Sequence, residues 1–161
     1  EYLRRYRHRG SYSPEALERG KCVIQNFIPG VLFDWKILVY YNCVFALKRN
    51  NRPNDFRASG SGIFSYEKII PREILDLALE TRIRMNVPHL SLDIAMTDSG
   101  PVIFEFQVIG FGTKTIEFAP FYFIKTSSYW KLIEEKPNLE MTYSESLISF
   151  LNEKRSSYEY K

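Results

Sequence analysis

Only two of the 161 residues are cysteine and only two are histidine, and that scarcity closes off several chemistries. Cys22 and Cys43 have no metal-ligand spacing and read as buried strand residues, compatible with the reducing cytoplasm that is the expected compartment. His8 and His89 leave a histidine-based metal site or catalytic triad few members to draw on. No run approaches the ~20 apolar residues of a membrane span, and no signal peptide is visible. The net charge of +3 is too small to argue for nucleic acid, and the basic opening Arg4, Arg5, Arg7, His8 and Arg9 reads as an exposed charged face in preference to a phosphate contact. Internal repeats and low-complexity segments are absent. Neither a membrane nor a nucleic acid is expected as a partner.

What remains is ordinary in bulk and specific in detail. A hydrophobic content of 45% with 25% charged residues fits a globular chain, and the 16% aromatic share suits strands and a well-filled core. The length predicts one domain or a large piece of one. The chain opens at Glu1, in what reads as mid-element, so an excised domain or fragment is expected.

Residues 1–20 are polar and basic, with Ser13 as N-cap and Pro14 at the first position of a short helix stopped by Gly20. Cys22 to Ile28 is a compact β-type run closed by Pro29-Gly30. Lys36 to Tyr41 and Cys43 to Lys48 predict two further strands with Asn42 in their connection, and the three together suggest an antiparallel meander. Asn50 to Gly62 is rich in turn residues. It reads either as a surface loop or as an anion cradle built from backbone N–H groups near Arg57. Ile70 to Met85 has clear helical spacing, with Pro71 in its first turn. Beyond Gly112, Phe118 to Ile124 reads as strand or loop, Trp130, Leu132 and Ile133 as a short helix, and Tyr143 to Lys154 as a final helix.

The most informative stretch is His89 to Thr113. Leu92, Ile94 and Met96 alternate with Ser91, Asp93 and Ala95. After Thr97-Asp98-Ser99-Gly100-Pro101, apolar Val102, Phe104 and Phe106 alternate with Ile103, Glu105 and Gln107. Pairing Met96 with Val102 places Asp93 opposite Glu105 and Ser91 opposite Gln107. Like charges so opposed destabilise a sheet unless something neutralises them. The face is either a solvated acidic surface or a cation site. Asp, Glu and Gln offer only oxygen donors, which suit Mg²⁺ held jointly with substrate phosphates.

The order of these pieces resembles a known family. Val23 to Gly30, Asp34-Trp35-Lys36, Lys48-Arg49, Asp55-Phe56-Arg57-Ala58-Ser59, Leu92-Asp93-Ile94, Phe104-Glu105-Phe106-Gln107 and Gly110-Phe111-Gly112 follow one another as in the C-terminal portion of an ATP-grasp domain. The enzymes it resembles are the RimK-like and D-alanine–D-alanine ligase-like ones, over roughly residues 21–113. The resemblance implies an α+β fold, a mostly antiparallel sheet flanked by helices, with the carboxylate hairpin near its centre. It divides the chain into a basic segment 1–20, an ATP-grasp-like subdomain 21–117 and a C-terminal extension 118–161. Asp93 and Glu105 would hold Mg²⁺ (or Mn²⁺) against the phosphates of ATP, with Gln107 where the family carries Asn. Gln25, Asn26, Phe27 and Ile28 would line the adenine and Asp34 the ribose. Lys36, Arg49 and Arg57 would face the phosphates or an acyl-phosphate, and Gly110 and Gly112 the substrate.

The implied activity is ADP-forming ligation: a small carboxylate substrate attacks the γ-phosphate, and an amine or thiol captures the acyl-phosphate. Such transfer needs positioning and charge neutralisation rather than a protein nucleophile. The same metal face would serve a kinase-like variant, and a degenerate module that binds a nucleotide or a protein is the alternative outside catalysis. The family's N-terminal subdomain and upstream phosphate-gripping lysines have no counterpart in this sequence. The expectation is therefore an incomplete site that packs against a missing subdomain or a second subunit.

Overall fold

The structure, a computed structural model, describes residues 24–159. The helix expected over Ser13 to Glu18, the basic opening and Cys22 lie outside them. Among the described residues the fold is α+β: one seven-stranded sheet whose pairings are all antiparallel, with three helices. The strands are β1 (Phe33–Tyr40), β2 (Cys43–Asn50), β3 (Phe64–Ser65), β4 (His89–Thr97), β5 (Gly100–Gln107), β6 (Tyr122–Lys125) and β7 (Trp130–Ile133). The helices are α1 (Arg72–Met85), α2 (Lys114–Glu117) and α3 (Leu139–Glu159). None of them is long and apolar enough to cross a membrane.

The sheet runs β5-β4-β1-β2-β6-β7, with β3 pairing on β2. The expected hairpin of β1 and β2 is present, turning through Tyr41 and Asn42, and Tyr41 takes a positive φ of 56° to close it. The expected meander is not. Residues 24–28 have no regular structure, and the far side of β1 is taken by β4. The carboxylate hairpin accordingly lies at one edge of the sheet rather than near its centre, because β5 is outermost among the described strands.

Alternation along β1 and β4 builds two cores. Trp35, Ile37, Val39, Leu90, Leu92 and Ile94 point to the face covered by α1, which returns Ile74, Leu75, Ala78 and Leu79. Each valine, leucine or isoleucine among them contributes about 2 kcal/mol on burial. Helix α1 begins later than its periodicity suggests, because Pro71 is its extended N-cap (ψ 127°). Left-handed Asn86 ends it, donating its N–H to Ile83 O. The opposite face carries Leu38, Tyr40 and Phe45 under Ile116 of α2, and towards one end it turns polar.

Three elements in the last third differ from expectation or sharpen it. Trp130, Leu132 and Ile133 belong to strand β7, not to a helix: a two-residue turn at Ser127 and Ser128 folds them back on β6, so that Tyr122 faces Ile133. Phe118 to Ile124 resolves into the end of α2 and the start of β6. The final helix starts four residues before Tyr143, with Asn138 Oδ1 accepting the Met141 N–H at 2.9 Å. It docks through Ser146, whose buried hydroxyl donates to Pro88 O at 2.7 Å.

Candidate functional site

The polar end of the second face is a row of charges across four strands. Arg49 (β2) pairs with Asp34 (β1), Lys36 (β1) with Asp93 (β4), and Asp93 with Glu105 (β5). The opposition of Asp93 and Glu105, and of Ser91 and Gln107, is as the alternation predicts, although the path to it differs. The turn is tight, Thr97 facing Gly100, so Met96 meets Pro101 rather than Val102. A bulge between Ile94 and Asp93 then inserts Phe104 and restores the expected pairing. As a result Ile103, and not Phe104, packs against the α1 core.

Arg49 clamps Asp34 with two parallel bonds, Nε to Oδ1 at 2.8 Å and Nη2 to Oδ2 at 2.7 Å. The same Nη2 lies 2.8 Å from Asp93 Oδ2. Lys36 Nζ sits 2.8 Å from Asp93 Oδ1 as an ion pair, without the alignment of a hydrogen bond, and Oδ1 is otherwise unpartnered and buried. Two carboxylates are thus balanced by two cations, and exposed Glu105 adds a negative charge at the rim with no ion pair among the described residues. Burial pushes the Asp34 carboxyl up and the Arg49 guanidinium draws it back only in part. Burial likewise opposes the charge on Arg49, but the Asp34 and Asp93 carboxylates outweigh it and raise its pKa. The bidentate contact favours the ionised pair.

Above this row opens a cavity of about 460 Å³, within the range of small-molecule sites. Gln25, Asn26, Phe27, Ile28, Asp34, Arg57, Asp93 and Glu105 all line it. The 25–28 segment reaches it as an irregular strap, not as the β run its composition suggests. Gln25 Nε2 donates to Phe104 O at 2.9 Å, and Phe27 stands edge-to-face on Phe56 at 5.6 Å. The 50–62 loop supplies Phe56, Arg57, Ala58 and Ser59. It is held by Asn51 N–H to Leu32 O at 3.0 Å and by Asn51 Nδ2 to Val31 O at 2.7 Å. Arg57 is bound to Asp55 through Nε and Nη2, with its backbone N–H on the same carboxylate. Those bonds hold the Asp55 carboxyl down at about 2.

Other expected residues lie elsewhere. Lys36 and Arg49 do not line the cavity but brace the carboxylates beneath it. Gln107 lies two residues further along β5, opposite Ser91. Gly110 and Gly112 sit in the connection to α2, outside the cavity, and only Gly110 has a positive φ (74°). Cys43 opens β2, half-buried. Phe104 and Asn51 also line the cavity. Phe104 carried no sequence signal, because strict alternation assigned it to the core.

The donor set around Asp93 and Glu105 is all oxygen, and buried Asp93 Oδ1 keeps lone-pair capacity despite Lys36. These residues fit Mg²⁺ brought in with phosphates, since such ions take one or two carboxylates and complete their shell elsewhere. Among the described residues no group of three or more His, Cys, Asp or Glu side chains could hold a metal by itself. Comparison with known proteins adds no family: no protein-family model matches the chain, and no curated protein sequence matches it.

Proposed function

We propose that the cavity binds ATP with Mg²⁺ and that the chain is the nucleotide-binding part of an ATP-grasp ligase, in which a carboxylate is activated as an acyl-phosphate and joined to an amine or thiol. The observation that carries this reading is convergence. Eight of the thirteen residues expected at such a site, drawn from segments up to 80 positions apart, line one cavity.

The apolar wall of Phe27, Ile28 and Phe56 suits a purine, and the rim carboxylates Asp93 and Glu105 would hold the metal. Mg²⁺ supplies charge neutralisation at the phosphates when bound. The chain's own part is to fix that geometry. Lys36 and Arg49 keep Asp93 oriented, and Arg57, whose guanidinium is bound to Asp55, stands in the cavity lining, where it would meet phosphate or acyl-phosphate oxygens.

Calorimetric titration with Mg²⁺ and a non-hydrolysable ATP analogue tests this. Saturable binding that disappears in Glu105→Ala and Asp93→Asn is expected, with Mg²⁺ alone binding weakly. No binding by a folded wild type would end the ATP reading.

A second reading is favoured by one observation: both oxygens of Asp93 already face a cation. A module so neutralised would bind a nucleotide without turning it over. Binding of ATP with no ADP released across a panel of carboxylates and amines would select it. A phosphate ester as product would select the kinase variant.

A further inference from the structure

Strand β4 begins at His89, which the register sets against Tyr40 at the end of β1. Its side chain is 7% exposed and lies among three rings, each from a different element. Tyr143 of α3 is tilted over it at 4.8 Å, Phe111 of the 108–113 connection stands edge-on at 5.7 Å, and Tyr40 of β1 lies at 5.9 Å. No carboxylate pairs with His89 among the described residues. The titratable groups that face it are the phenols of Tyr40 and Tyr143, and phenols stay neutral in acid.

The buried Nδ1 of His89 has no hydrogen-bond partner. A neutral imidazole accommodates this by carrying its proton on Nε2 and leaving Nδ1 a bare acceptor. An imidazolium must place an N–H there. The hydroxyls of Tyr40 and Ser91, on the same face of the sheet, are themselves unpartnered and so do not accept it. The surrounding rings attract a cation, but that gain is smaller than the cost of holding a desolvated charge with an unmet donor. Burial accordingly pushes the imidazole below its ordinary value.

The helix that rests on this ring is lightly held. Ser146 is the one buried residue of α3 among those described, and its hydroxyl bonds Pro88 O, next to His89. Tyr143, one turn earlier, lies on His89 itself. An element with so few buried contacts opens at low cost, whereas the core under α1 has no member in the cluster. We propose that His89 is an acid-operated latch: protonation of its ring releases α3 from the sheet and loosens the 108–113 connection while α1 stays in place. The open form gives the imidazole to water, where it charges freely, and the closed form requires it neutral. Falling pH therefore draws the equilibrium towards opening. The device does not depend on what the cavity binds.

Native-state amide exchange of the full chain at pH 7.5 and 5.5, corrected for the intrinsic pH dependence of exchange, tests this. Amides of α3 are expected to exchange ahead of those of α1 at both pH values. At pH 5.5 they are expected to open several-fold more often, with a ceiling of about tenfold set by a free imidazole of pKa about 6.5. The acid effect is expected to vanish in His89→Gln and to persist in His8→Gln, while Tyr143→Ala opens α3 already at pH 7.5. Independently of any variant, the chain has only two histidines, and NMR of their ring protons is expected to show His89 titrating below the ordinary value. Titration of His89 at or above that value would overturn the inference. So would an acid effect that survives His89→Gln, equal protection of α3 at both pH values, or exchange of α3 and α1 together at one rate.

Discussion

Replacing Arg49 by methionine keeps an unbranched apolar stem and removes the guanidinium with its charge. Three contacts are lost together: both bonds to Asp34, at 2.8 and 2.7 Å, and the approach to Asp93 at 2.8 Å. Asp93 retains Lys36, but Asp34 is left with no cation in contact. Removing one partner of a buried pair costs about 3–5 kcal/mol, chiefly because a carboxylate is stranded out of water. The side chains of Arg49 and Asp34 are 12% and 9% exposed, so solvent at the cavity edge brings the cost to the lower end, about 3 kcal/mol. For a chain of this size that corresponds to a fall in Tm of about 6–12 °C. Urea unfolding followed by circular dichroism measures it directly. The double variant Asp34→Asn, Arg49→Met removes the stranded charge and is expected to recover about half the loss, a coupling that only contacting residues show. A loss below about 1 kcal/mol for Arg49→Met, or no recovery in the double variant, would refute the claim that this clamp holds the site together.

The same variant has a signed pH dependence. Burial already raises the Asp34 carboxyl above its ordinary value, against the pull of Arg49. A carboxyl raised in the folded state favours folding below its unfolded pKa, and that contribution is lost as pH rises through the folded value. Removing Arg49 raises Asp34 further. The deficit of Arg49→Met relative to wild type is therefore largest at neutral pH and shrinks on acidification towards about pH 4.

Two further outcomes follow from single contacts. Ser146→Ala removes the bond that docks α3 on Pro88 O, a carbonyl that keeps the Tyr41 N–H at 2.9 Å; a loss of about 1 kcal/mol is expected, with faster amide exchange in α3 than in α1. Gly110→Ala places a Cβ in open space but at φ 74°, so its expected cost of about 1 kcal/mol is backbone strain alone, and a neutral result in urea unfolding would contradict the turn geometry.

The parts of the fold legible in the sequence are those where period and turn chemistry agree. The β-type runs Lys36 to Tyr41 and Cys43 to Lys48 predicted the β1–β2 hairpin, which extends to Phe33 and Asn50, and spacing from Ile70 to Met85 predicted α1. Trp130 to Ile133 is four residues long, too short for helical and strand periods to be told apart, and Ser127-Ser128 lacks the Asn or Gly that marks a hairpin turn. Residues 25–28 are β-branched and aromatic enough to suggest a strand, yet a tertiary contact decided their path: Gln25 reaches a carbonyl 79 positions away. Strand order was equally hidden. Alternation states which face a residue takes, not which strand lies beside it, so the edge position of β5 could not be read from composition.

The bulge in β5 shows how local rules competed at the candidate site. A two-residue turn at Asp98 and Ser99 sets Thr97 against Gly100. Continued without interruption, that register would place Phe104 opposite Asp93 and Glu105 opposite Leu92, sending a carboxylate into the face covered by α1. An ionised group buried there without a partner costs several kcal/mol. Inserting one residue is cheaper, since it forfeits little more than one ladder contact. The insertion returns Glu105 to the polar face beside Asp93, gives Ile103 to the core, and frees Phe104 to line the cavity while its carbonyl receives Gln25. The expected opposition of the two carboxylates thus holds for a reason outside simple alternation: the tight turn sets one register, the cost of burying Glu105 requires another, and the bulge reconciles them at the rim of the site.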